Sequence, residues 1–443
     1  SQLSPTLIFE HPTPRAVAIH ILEQVGAGTS AAAPVCVSYT LAAATDALQC
    51  TALSGSAGLW AGDCRGTASL MLSACGDAVG MVPAQRWTVT TDIDTSGYTE
   101  VQLRGAAHGS FLSNSHCFDH RRFGVSPMEA AVMDPQQRLL LEQGYESMHA
   151  AQMRAVKMQG SAHGIFVGLE LPDWLAVKAL LPAAIRWSFL LGDATCVGSG
   201  RMSFALGLHG PCKTIDTACA SGLSAVHGAV MTVSTEESQY ATGLAVSLKL
   251  RPHITFMLVG ATVSPDGRCK TFDARANGYV RAEAVGAVTV TSSLACPHLM
   301  SLPCVVVRHD GRSASLTAPN GAAQRMMLVA AWTVLADTSL FCSQAHGTGT
   351  PLGDPTETGA LAALHEASTR AGRLLIGTHK GNIGHSESPS GVMGILTALQ
   401  QLQHGVVYGN AQLCVLNPVI APVLAEQLTL GTAILAMLHM RSC

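Results

Sequence analysis

The chain has 443 residues, with 26 lysines and arginines against 29 aspartates and glutamates, a formal charge of −3 with histidine neutral. That balance excludes the basic face or tail of a nucleic-acid binder. Charged residues are 12% of the chain, hydrophobic ones 48%, and there are 43 glycines, which excludes disorder over most of the length and suits a large, thickly buried α/β core.

Residues 1–24 read as a short turn and an amphipathic helix, with Pro14 at the helix start and Val17, Ile21 and Leu22 as its apolar stripe. Residues 25–35, VGAGTSAAAPV, are small and uncharged, as in a linker. A single amphipathic helix cannot bury its own face, so 1–24 reads as the tail of a domain lying upstream. No basic run followed by a ~7–15-residue apolar core opens the chain, so no signal peptide is expected. The charge-free stretch 405–425 carries Asn410, Gln412, Asn417, Pro418 and Pro422, so no membrane span is expected either. The 14 cysteines never form a CxxC pair, which points to a reduced, cytoplasmic setting. His116, Cys117 and His120 are close in sequence, but no second Cys/His pair accompanies them, and no metal site is expected.

From about residue 75 buried strands and helices alternate. GIFVG (164–168), AVTVT (287–291) and CVVVR (304–308) read as strands covered on both faces. Asp134-Pro135 reads as an N-cap and first helical residue, followed by the stripe Leu141, Tyr145, Met148. Leu223, Val226 and Val230 make a second stripe, and Val392, Ile395, Leu399 and Leu402 a third. Such alternation implies a layered α/β domain with largely parallel pairing.

In CKTIDTACASGLSAVHGAV (212–230) a strand-like segment ends just before Cys219 and a helical stripe begins just after it. A thiol at such an elbow lies near a helix N-terminus, which is expected to lower a pKa that starts near ~8.5. Most cysteines are buried hydrophobes, and this segment alone leaves both readings open. QAHGTGTPLGDPTE (344–357) places His346 before hydroxyl-rich turns, with Asp354-Pro355 opening a helix, and THKGNIGHSESPSG (378–391) places Lys380 and His385 ahead of another. Glycine-rich loops that precede helices commonly mount active-site groups. GRLLIGTHK does not fit a P-loop, HGTGTPLG does not fit GxGxxG, and there is no HExxH.

DTACASGLSAVH, AHGTGTPLGDPTE and HKGNIGHSE resemble the three active-site motifs of β-ketoacyl synthases, specifically the ketosynthase domains of modular type I polyketide synthases. DAVGMVPAQRW (77–87), the stretch 118–146, SPDGRCKTFDARANGYVRAEAVG (264–286) and DGRSASLTAPNGAAQ (310–324) are similar too, in the family's order. The N-terminal SPTLIFEHPTPRAVAIHIL resembles the last helix of an acyl carrier protein domain.

The resemblance implies a thiolase-like, five-layer αβαβα fold of two related halves, an N-terminal one over 36–299 bearing Cys219 and a C-terminal one over 300–443 bearing the histidines. It implies that Cys219 takes an acyl chain as a thioester and that a malonyl-type extender on an acyl carrier protein loses CO2 and attacks it. His346 and His385 would hydrogen-bond the enolate oxygen, Lys380 would hold the histidine loop, and Thr348 and Thr350 would bind the pantetheine arm. No metal or bound cofactor is implied, since the carrier's phosphopantetheine arm brings both reactants, and family members are usually homodimers.

Departures from the family pattern temper this. The opening strand is matched poorly by PVCVSYTLAAA (34–44), and 45–74 has no counterpart. The closing strand and Gly-rich loop, which would supply an oxyanion-hole N–H, are replaced by LTLGTAILAMLHMRSC (428–443). Ala220 and Gly222 stand where serines are usual, and Gln344 where glutamate is. The leading expectation is therefore a condensing acyltransferase of impaired activity, and the alternative is an inactive ketosynthase-like docking module. A decarboxylating loading domain, which would carry glutamine for cysteine, and a Cys/His hydrolase fit less well.

Overall fold

The computed structural model describes residues 17–18, 51–62, 68–87, 94–170, 172–178, 192, 194–292, 298–335, 342–367, 373–426 and 428–430. The carrier-like segment 1–24, apart from two helical residues, the linker 25–35, the segment 34–44 and the end 431–443 lie outside them.

The described strands are β1 (Thr51–Trp60), β2 (Gly80–Met81), β3 (His108–Gly109), β4 (Gly164–Leu169), β5 (Cys212–Ile215), β6 (Tyr240–Ser247), β7 (Ala284–Thr291), β8 (Met300–Leu302), β9 (Cys342–Gln344), β10 (Leu374–Gly377) and β11 (Leu428–Leu430). A six-stranded sheet runs β5-β4-β6-β7-β1-β8, and a three-stranded one runs β11-β10-β9. The first is mixed: β4 is parallel to β5 and β6, whereas β7 is antiparallel to β6 and β1. The second is wholly parallel.

Side-chain alternation along the strands separates two cores. Ile165, Val167 and Leu244 face helix α1 (Pro135–Ala150), together with Leu140 and Met148. Phe166, Ala245 and Val288 face α2 (Ser221–Ser234) and α6 (Ser390–His404), through Val226, Val230 and Val392. Beyond those helices lies the second sheet, whose Leu374 and Ile376 pack with Leu361 and Ala362 of α4 (Gly353–Ala367) and with Leu328 of α3 (Gly321–Leu335). The order helix, sheet, helices, sheet, helices is the expected five-layer arrangement. Asp134 caps α1 as the sequence indicates, accepting from the Gln136 N–H at 2.8 Å.

Two sequence expectations are corrected. Residues 45–74, which the sequence left without a counterpart, hold β1, TALSGSAGLW, eight of whose residues pair with β7. Its small residues hid it, and packing explains them: a Cβ on Gly55 would lie 2.1 Å from the Ser147 carbonyl oxygen of α1. CVVVR (304–308) is not a strand. Pro303 follows β8 and offers no N–H to the ladder, and Val307 is 44% exposed. The closing segment supplies β11, in parallel register with β10. Among the described residues no helix is long and apolar enough to cross a membrane.

Candidate active site

Cys219 lies on a short 3-10 turn, Ala218–Ala220, between β5 and α2. The turn is held by side chains: Asp216 accepts from the Ala218 N–H at 3.1 Å, and the Ser221 hydroxyl accepts from the Thr217 N–H and donates to the Ala218 carbonyl, both at 2.7 Å. They keep Ala218 at φ 51, a left-handed conformation that costs an L-residue about 1–2 kcal/mol. The strain presents the Cys219 side chain to a cavity of about 1130 Å³ that is also lined by His346, Thr348, Thr350 and Lys380.

His385 follows the short helix α5 (Lys380–Ile383) and is pinned by backbone. Its N–H donates to the Val280 carbonyl at 2.8 Å, and its carbonyl accepts from the Ala282 N–H at 2.9 Å. The Glu387 N–H donates to its Nδ1 at 3.4 Å, so the neutral ring carries its proton on Nε2 and can donate there. His346 is fixed from behind: its own N–H and that of Gly347 donate to the two oxygens of Glu357, at 2.5 and 2.8 Å. The Thr348 and Thr350 hydroxyls are 3.3 Å apart, and Thr350 also accepts from the Gly353 N–H at the start of α4.

The donor atoms of Cys219, His346 and His385 all lie within 4.8 Å of one another. The two rings meet edge to face with centroids 5.4 Å apart, and Tyr279 packs the same way on His385 at 4.8 Å. His346 is accessible from the cavity yet enclosed by protein on its other sides, whereas His385 is only 3% exposed. Among the described residues these three are the only group of three or more His, Cys, Asp and Glu side chains close enough to share a metal ion. The buried ammonium of Lys380, near enough to act on all three electrostatically, opposes a second cation there. His116, Cys117 and His120 form no such group.

Burial pushes the Cys219 thiol up from its ordinary value, with Lys380 pulling the other way. This corrects the expectation of a pKa lowered at a helix N-terminus: the sulfur is desolvated, and the Gly222 N–H at the start of α2 is taken by the Ser388 carbonyl at 3.0 Å. Burial, helped by Lys380, lowers His346 to about 3 and holds His385 well below 6.5. Lys380 is itself lowered by burial, against the pull of Glu357, Cys269 and Cys219. The site therefore combines a neutral thiol, two neutral imidazoles and a buried lysine.

The sequence reading missed the groups that hold this cluster. Glu387 sits at φ 57, accepts from Arg281 through both oxygens at 2.9 Å, and pairs with Lys249, which also reaches Glu170 at 3.2 Å. Glu283 ties Arg86 to the Leu112 and Lys249 N–H groups. The only signal for Glu387 was its place two residues after His385.

Residues 61–294 match the family described as "Beta-ketoacyl synthase, N-terminal domain", and 302–413 match its C-terminal domain. The chain is 36% identical over 432 residues to polyketide synthase GfsB of Streptomyces halstedii, and 34% over 420 residues to erythronolide synthase EryA3 of Saccharopolyspora erythraea. These alignments cover 92% and 91% of this chain but only 7% and 13% of the relatives. An oxazolomycin ketosynthase domain from Streptomyces albus JA3453 superposes with a TM-score of 0.78 at 27% identity, covering 86% of this chain and 68% of that one. The ketosynthase from module 6 of the bacillaene synthase of Bacillus subtilis 168 gives 0.75 at 26%, covering 84% and 64%. Motif order, the two-sheet architecture and these likenesses converge: the chain belongs to the β-ketoacyl synthase family, as a ketosynthase domain of the modular type I polyketide synthase kind, with a thiolase-like fold.

Proposed function

We propose that this domain joins carbon to carbon by decarboxylative Claisen condensation, with Cys219 as the nucleophile. The observation that carries the reading is the meeting of one thiol and two neutral imidazoles within 4.8 Å beside a cavity of about 1130 Å³. In the first half-reaction Cys219 sulfur bonds to the acyl carbon of a pantetheine thioester, the carrier sulfur leaves, and the thiol proton passes to it. In the second, the malonyl C–C bond breaks to release CO2, and its electron pair forms an enolate. The enolate carbon bonds to the acyl carbon, and Cys219 leaves as thiolate and takes up a proton. His346 and His385, neutral and able to donate, stabilise the enolate oxygen where charge develops. Lys380 holds the histidine loop electrostatically and favours thiolate over thiol. Thr348 and Thr350 bind the pantetheine arm of an acyl carrier protein, the partner that brings both thioesters.

The same reading takes 36–299 as the half that supplies the nucleophile, 300–443 as the half that supplies the imidazoles, 1–24 as the last helix of a carrier domain, and a homodimer as the working unit. CO2 release from malonyl-carrier protein tests it. Release that depends on an acyl primer and is lost in Cys219→Ala supports condensation. A folded protein that releases none in either case would instead be a docking module.

A further inference from the structure

The cavity beside Cys219 has walls of two kinds. Thr317, Thr348 and Thr350 give it hydroxyls, which suit the pantetheine arm. Another wall is one face of α6: Gly391, Gly394, Ile395 and Ala398, at i, i+3, i+4 and i+7, all line the cavity and are all partly exposed. The residues between them, Val392, Met393, Leu396 and Thr397, are buried. Met327 and Leu328 of α3 and Leu361 of α4 add further apolar lining.

α6 starts at the nucleophile and runs on from it. The hydroxyl of Ser390, its first residue, donates to the Cys219 carbonyl at 3.3 Å. At a rise of 1.5 Å per residue, Gly394 stands about 6 Å along the axis from Ser390 and Ala398 about 12 Å. The next residue on this face, Gln401, ends the row: its Oε1 accepts at 2.6 Å from Nε2 of Gln344, which also lines the cavity.

Packing does not require glycine at 394. Among the described residues a Cβ there would meet nothing closer than His379 Cε1 at 3.9 Å, whereas one on Gly391 would lie 2.4 Å from Leu223 Cγ. Glycine in a helix interior is less stable than alanine, so the folded chain alone gives no reason for it. What lies in front of it is the cavity, and an acyl chain bonded to Cys219 has to enter that cavity.

We propose that Gly394 is a specificity-determining residue: the acyl chain on Cys219 lies along α6, and the missing side chain at 394 lets a long, unbranched apolar chain pass toward Ala398. The proposal rests on the condensing reading and adds where the acyl chain of that reaction lies and what limits its length. A side chain at 394 would stop the chain about one helical turn from Ser390, and a larger one at 398 about two turns from it.

The test is loading of Cys219 from the N-acetylcysteamine thioesters of acetate, butyrate, hexanoate, octanoate and decanoate, followed by intact mass as kcat/KM. The wild type is expected to load the decanoyl chain. Gly394→Leu should lower the decanoyl-to-acetyl ratio about 10²-fold. Ala398→Leu should spare chains that Gly394→Leu excludes while still excluding longer ones. A general loosening of the fold would lower all chains together and would not grade with position. Gly394→Ala covers the case in which the leucine variant does not fold. Its methyl meets nothing closer than 3.9 Å, so it should melt at or above the wild-type temperature and lower the same ratio by less. A wild type that loads acetyl but not decanoyl, a ratio unchanged in the folded variants, or one cut-off shared by positions 394 and 398 overturns this proposal alone. A wild type that loads no thioester of the series overturns the condensing reading and this proposal with it.

Discussion

The Gly222 N–H donates to the Ser388 carbonyl at 3.0 Å, and a Cβ on Gly222 would lie 2.7 Å from that same oxygen. This contact joins the helix that starts behind Cys219 to the loop that carries His385, and the Ser390 hydroxyl, donating to the Cys219 carbonyl at 3.3 Å, reinforces it. A side chain at 222 must push the two apart. Gly222→Val is expected to cost about 1–3 kcal/mol in thermal or denaturant unfolding. Because the Cys219 sulfur would shift against the imidazoles, its acylation should fall about 10²-fold. Unchanged acylation would show that the contact does not set their spacing.

The raised pKa of the Cys219 thiol makes a kinetic prediction. Alkylation by iodoacetamide should rise with pH through an inflection above the ordinary 9.0, because only thiolate reacts. Lys380 favours the thiolate, so Lys380→Met should move the inflection further up and slow alkylation at neutral pH. An inflection below 9.0, or one unmoved in the variant, contradicts the assignment.

Glu387 sets a second pH dependence. Burial raises its carboxyl, but Lys249 and Arg281 outweigh burial and hold it well below the ordinary 4.5. A depressed folded-state pKa gives stability that is full above 4.5 and is lost as pH falls below it. His346 and His385 act over the window above that: both are lowered from 6.5, so their contribution starts to be lost below pH 6.5. Glu387→Gln leaves the buried Arg281 without its carboxylate and Lys249 with Glu170 alone, and should cost about 3–5 kcal/mol at neutral pH, with a shallower loss of stability below pH 4.5 than the wild type. Unfolding curves across pH check both effects.

The two imidazoles should separate the half-reactions. If they serve the enolate, His385→Ala and His346→Ala each lower decarboxylation and condensation by about 10²–10³-fold. Loading of Cys219 from an acyl thioester should persist within about 10-fold. Equal loss of both half-reactions, measured by CO2 release and by intact mass, would mean that the rings act on the thiol instead.

The sequence displayed the chemistry better than its support. Cys219, His346, Lys380 and His385 were legible because each sits in a short motif whose local geometry, an elbow or a loop before a helix, is written in adjacent residues. The Glu387–Arg281–Lys249 network was not, since its partners are separated by 106 and 138 residues and only folding brings them together. β1 escaped notice because its place against α1 demands small residues such as Gly55 instead of β-branched ones. CVVVR misled for the opposite reason: β-branched residues favour strands, but Pro303 ends the ladder before them. His379 lay inside a quoted motif, and nothing in its neighbours revealed that both ring nitrogens would be buried without partners.

The most direct measurement is the mass of the Cys219-containing peptide after incubation with an acyl-pantetheine thioester. The account predicts one acyl group on that peptide, none on the peptide of Cys219→Ala, and its disappearance when malonyl-carrier protein is added. Acylation that spares Cys219, or an acyl-Cys219 that malonyl-carrier protein leaves untouched, would contradict it.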